Sequence, residues 1–193
     1  ISRLTHWVAE EIRYSGISMG EGEGFTLHKG AMTFLDRCGV CKDKAGMLVT
    51  MLRAAGFESY PAMTMAGNRI DRIPADQFNH SVTLVKVDGK YHLLDPTWVP
   101  GVRELWSSAE QQQEYLMGVP EGADLMSTPL SPPEKHYLKY KITSRLSPQG
   151  QLKADIEIEA EGQSDNQLRR GFQRNLKESW PQRFQAEFYK MHP

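Results

Sequence analysis

Residues 80–95, HSVTLVKVDGKYHLLD, constrain the fold of this chain more than any other stretch. Apolar and polar positions alternate on both sides of Asp88 and Gly89, a two-residue hairpin signal. With those two residues as the loop, Val87 pairs with Lys90 and Val82 comes opposite Asp95. His80 then lies one diagonal step from Asp95 on the same sheet face, at roughly 7–8 Å between backbones, within reach of the two side chains. Shifting the loop to Gly89 and Lys90 puts Asp95 opposite Leu84, too far to orient His80. His92 falls on the other face.

A second constraint precedes the hairpin. In Arg37–Ala45, RCGVCKDKA, Cys41 opens a helical pattern over 41–55, with Ala45, Leu48, Val49 and Leu52 on one face and Gly56 placed to end it in a left-handed conformation. A helix start offers unpaired N–H groups and partial positive charge, and Lys42 and Lys44 are expected to add full charges, all favouring a thiolate. A cysteine at a helix start, a histidine at a strand start and an aspartate at the end of the next strand are the parts of a nucleophile, a base and an orienting group. The backbone N–H of Cys41 is also placed to serve an oxyanion hole.

Elsewhere, helices are expected over 3–14, capped by Ser2, and over 31–37, with a glycine-rich loop over 15–30. A strand is expected over 57–65 and a helix over 107–117, where Ser107 and Glu110 have capping-box spacing. The domain expectation is a core over 1–117, a linker over 118–133 rich in Pro, Gly and Ser, and the start of a β-containing domain over 134–193. In that last part, strands 137–146 and 151–160 flank a turn at 148–150, and 169–189 reads as helical with an interruption at Pro181. Trp98 and Trp106 read as packing anchors, Trp98 with a place on the wall of a cleft near Asp95 as the alternative.

The formal net charge of −1 argues against a nucleic-acid or anionic-membrane partner. No apolar stretch approaches the roughly 20 residues of a membrane span. The two cysteines, both in one C-x-x-C, form no disulfide framework. That motif admits a dithiol oxidoreductase using Cys38 and Cys41, but a helix rather than a strand is expected before it. A zinc site from Cys38, Cys41 and two of His28, His80 and His92 is the weaker alternative, lacking a second ligand pair. The chain starts at Ile1 and reads as a piece of a longer protein, its missing flanks counted among its partners.

GVCKDKA followed by LxxMLRAAG, and FNHSVTLVKVDGKYHLLDPTW, resemble the transglutaminase-like superfamily, a papain-related group that includes many bacterial thiol peptidases. The resemblance covers roughly residues 4–106. It implies an α+β fold with the Cys helix packed on an antiparallel sheet, followed here by a β-hairpin and helix of a second domain. It also implies Cys41 as nucleophile, His80 as base and Asp95 as orienter, acting on a peptide or protein amide by hydrolysis or acyl transfer, without cofactor or metal. A catalytically silent scaffold that binds a peptide or glycan is the alternative. An exported setting, periplasmic or extracellular, is implied by the resemblance only.

Overall fold

In the computed structural model, residues 1–15, 27–73, 75–98, 105–106, 110–173 and 175–191 are described. They fall into two compact units, one running to Ser131 and one from Pro132 onward.

The first unit is built around one helix and one sheet. Helix α1 (Ser2–Glu11) begins one residue earlier than its sequence pattern, with Ile1 rather than Ser2 in the cap position. It ends at Glu11, and Arg13–Tyr14 form a two-residue strand β1. Helix α2 (Gly30–Asp36) closes on Arg37 in the left-handed region, and β2 (Cys38–Gly39) pairs in parallel with β1. Helix α3 (Cys41–Ala54) follows at once. Its end is a Schellman arrangement: Gly56, at φ 86°, donates to the Arg53 carbonyl, and Phe57 donates to that of Leu52.

Strands β3 (Ser59–Thr64), β4 (His80–Val87), β5 (Lys90–Leu94), β6 (Glu114–Met117) and β7 (Met126–Ser127) form an antiparallel sheet in the order β5-β4-β3-β6-β7. The β4–β5 register is the one required by a loop at Asp88 and Gly89: Val87 faces Lys90 and Thr83 faces Leu94. Both loop residues have positive φ, 48° and 75°, as the tight hairpin turn demands. Strand β4 lies between β5 and β3 and is packed on both faces, so its residues from His80 to Val85 are all buried. On one face Met47, Leu48 and Leu52 of α3 pack with Val8, Ile12, Val85 and Leu94. On the other, Ala62, Val82, Leu84, Leu93 and Tyr115 form a second cluster.

The expected helix over 107–117 is corrected. Residues 107–109 lie outside the described set, and Glu114–Met117 is strand β6, with Leu116 opposite Met63 and Tyr115 opposite Thr64. Gln112 sits at φ 56°, which breaks any helical run, and burying Tyr115 against the sheet overrides local helix preference. Within the stretch read as a linker, Met126 pairs back on Tyr115, adding the fifth strand. The glycine-rich loop read over 15–30 falls mostly on 16–26, outside the described residues.

The second unit contains a long hairpin, β8 (Leu138–Leu146) with β9 (Leu152–Ala160), then α4 (Gly162–Gln173) and α5 (Trp180–Met191). Pro181 does not interrupt a helix. It lies in the first turn of α5, where no intrahelical partner for its missing N–H is required.

Candidate active site

The start of α3 is anchored before any chemistry is considered. Asp43 accepts from the Val40 backbone N–H at 2.9 Å through Oδ2. Its Oδ1 accepts from His28 Nδ1 at 2.7 Å. Lys44, only 1% exposed, donates its ammonium to the carbonyls of Ala9 at 2.9 Å and Ile12 at 2.6 Å, tying α3 to the end of α1. Burial lowers the Lys44 pKa to about 8, with Asp95 opposing the drop.

The strand end carrying His80 is fixed as firmly. Asn79 donates to and accepts from the backbone of Ala66, and its own N–H donates to the Thr64 carbonyl. His80 opens β4, and its Nε2 donates to Asp95 Oδ2 at 2.8 Å. Asp95 is fully buried, and its Oδ1 accepts from the Thr97 N–H at 2.8 Å. The same imidazole hydrogen-bonds the Cys41 thiol, and since Nε2 is engaged by Asp95, Nδ1 is the nitrogen left for sulfur. Cys41, His80 and Asp95 are therefore brought together, His80 in the middle.

The electrostatics follow from this order. Burial opposes charge on His80, but hydrogen bonds to Asp95 and Cys41, and the charges of Asp95 and Glu110, outweigh it and raise the pKa to about 10. Burial likewise pushes the Cys41 thiol up, yet His80 and the backbone N–H groups of Ser81 and Lys42 bring it below its ordinary value. The expectation that lysine charges stabilise the thiolate needs correction for Lys44, whose ammonium is spent on α1 carbonyls. The arrangement favours a thiolate–imidazolium pair.

Two neighbours were not found from sequence. Tyr14 is set by the β1–β2 ladder opposite Gly39, two residues before Cys41. Its hydroxyl accepts from the Cys41 backbone N–H, while burial and the nearby thiolate raise its pKa. Glu110 is only 3% exposed, with Oε1 at 3.8 Å from His80 Nε2. Among the described residues, neither of its oxygens has a hydrogen-bond partner of good geometry. Burial first, then repulsion from Asp95, raises its pKa to about 7, against a weaker pull from His80 and Trp98. Trp98 stands edge-on to His80, ring centres 6.3 Å apart.

Among the described residues, His80, Asp95 and Glu110 are the set whose ligand atoms are close enough to hold a metal ion, all within 4.8 Å. The 2.8 Å His80–Asp95 contact within that set is a hydrogen bond. The cysteine zinc site is not assembled: His28 is bonded to Asp43, and His92 is exposed on β5, facing Val85. Cys38 and Cys41 are free thiols.

The sequence pattern of the family described as "Transglutaminase-like superfamily" matches residues 1–99, just over half of the 193. The chain belongs to the transglutaminase-like superfamily. Its α+β core, a Cys helix on an antiparallel sheet, is the fold expected of that family. Among solved structures it is similar to one described as "a Putative Cysteine Protease from Cytophaga hutchinsonii", at 22% identity and a TM-score of 0.37, covering 51% of this chain and 31% of that one. The chain thus spans about a third of that protein. No curated protein matches it.

Proposed function

We propose that this chain is a cysteine-dependent amide hydrolase in which Cys41 is the nucleophile, His80 the base and acid, and Asp95 the orienting carboxylate. One observation carries the reading: a single buried imidazole bridges a thiol at a helix start and a fully buried carboxylate. The Cys41 thiolate attacks the amide carbonyl carbon. The C–N bond breaks, and the proton on His80 Nδ1 leaves with the amine. Water, deprotonated by His80, then attacks the thioester, releasing the acid and restoring the thiol. An amine arriving before water makes the same intermediate an acyl-transfer donor. Asp95 keeps the imidazole's other proton on Nε2 throughout.

The dithiol reading is less well supported, because the thiol held by His80 is Cys41 and not Cys38, the first cysteine of the motif. An exported setting is carried over as a proposal from the family resemblance. The test is acylation with p-nitrophenyl acetate followed by peptide mapping. A burst of p-nitrophenol with acetyl on Cys41, absent in Cys41→Ala, is expected. No acetyl on Cys41, with the burst retained in Cys41→Ala, overturns the reading.

A further inference from the structure

A cavity of about 480 Å³ opens beside the reacting thiol. Its walls include Cys41 and His80 themselves, so whatever fills it lies against the atoms that would do the chemistry. Pro61 and Met63 of β3 and Leu116 of β6 supply one side, on the sheet face turned toward α3. Helix α3 packs over β4 and β3. Among the described residues, no helix packs over the β6 side of that face. Phe78 contributes a ring from the segment leading to His80.

The lining chemistry is one-sided. Among the described residues no carboxylate lines the cavity, and the lysine that does, Lys42, is 5% exposed. A cationic substrate group placed here would lose water without meeting a carboxylate among the described residues, whereas an apolar group would gain by leaving water. The volume lies within the roughly 300–1,000 Å³ of ordinary ligand sites, more than a methyl group needs.

We propose that this cavity is the acyl-side specificity pocket, and that the substrates are peptides or acyl amides with a bulky aliphatic or aromatic group next to the attacked carbonyl. The inference rests on Cys41 as nucleophile. Once the C–N bond breaks, only the acyl part stays tethered to Cys41, so a cavity walled by that thiol holds the part of the substrate that remains. Apolar burial there also strengthens attack, because it seats the carbonyl carbon against sulfur.

The test separates this inference from the reading beneath it. Cys41 is modified with N-acetyl-X-Gly and N-acetyl-Gly-X chloromethyl ketones, X being Ala, Leu, Phe, Lys or Asp, and with iodoacetamide as a measure of intrinsic thiol reactivity. In the N-acetyl-Gly-X series, where X carries the reacting carbonyl, Leu or Phe is expected to react roughly 10- to 100-fold faster than Ala, with Lys no faster than Ala. A preference confined to the N-acetyl-X-Gly series overturns the assignment. Fast iodoacetamide labelling with no preference for Leu or Phe overturns the pocket and leaves the nucleophile standing. A Cys41 inert to iodoacetamide removes the nucleophile, and the pocket falls with it. Leu116→Glu should shift the preference toward Lys. An unchanged apolar preference in that variant places the subsite elsewhere, and if it does not fold, the unmodified chain's series still decides.

Discussion

Replacing Glu110 by glutamine tests the electrostatics of the site through stability alone. Ionising Glu110 in the folded chain must overcome burial and the charge of Asp95, with only His80 and a weak Trp98 contact in its favour. Its pKa of about 7, against an ordinary 4.5, corresponds to about 3 kcal/mol at 1.36 kcal/mol per pH unit. The sign follows from linkage. Because the folded pKa is the higher one, the folded state holds the proton more tightly between pH 4.5 and 7, so stability is full below 4.5 and falls as pH rises through 7. The substituted amide has no proton to lose. The His80 pKa, raised from 6.5 to about 10, costs both proteins stability above pH 6.5, so the difference between them is what reports on Glu110. Urea unfolding followed by far-UV circular dichroism from pH 4 to 8.5 should therefore show the two proteins nearly equal at pH 4. The Glu110→Gln protein should gain progressively, reaching about 3 kcal/mol at pH 8. Parallel stability curves, with a constant offset at all pH values, would refute the reasoning.

Three further outcomes follow from the site. Asp95→Asn presents an amide N–H to His80 Nε2, moving the imidazole proton to the nitrogen that faces sulfur; kcat toward any amide or ester substrate should fall about 10³- to 10⁴-fold, and an unchanged kcat would contradict the orienting role. Tyr14→Phe removes the hydroxyl bonded to the Cys41 N–H, so ester turnover should drop by about 10²-fold while iodoacetamide labelling stays near the original rate, if that hydroxyl serves the developing oxyanion. Equal losses in both assays would assign Tyr14 to the thiolate instead. Lys44→Met leaves the Ala9 and Ile12 carbonyls without their donor, costing about 1–3 kcal/mol in urea unfolding; no loss would show those carbonyls find water.

The hairpin and the Cys helix were legible because each is dictated locally. Period-two alternation marks the two strands, and the turn residues Asp88 and Gly89, both at positive φ, select the register that places His80 beside Asp95. The apolar stripe at Ala45, Leu48 and Leu52, ended by Gly56, needed no distant partner to be recognised. Strand β6 was hidden because EYLM has no alternation of its own and reads as helix until Leu116 meets Met63 and Tyr115 meets Thr64. Glu110 was hidden for a related reason. A Ser and a Glu three residues apart look like a cap, and only the assembled fold turns that carboxyl toward His80. Tyr14 depends on a two-residue ladder, too short to carry a pattern. For Lys44, sequence gives the charge but not the carbonyls of α1 that it faces.

The pairing of Cys41 with His80 is the claim on which the rest depends. Site-resolved mass spectrometry of iodoacetamide alkylation across pH, in the unsubstituted chain and in His80→Ala, measures it directly. A thiolate held by His80 gives rapid labelling of Cys41 well below the roughly 8.5 of an ordinary thiol, lost in His80→Ala, with Cys38 slower throughout. Slow labelling of Cys41 that is indifferent to His80 would contradict it.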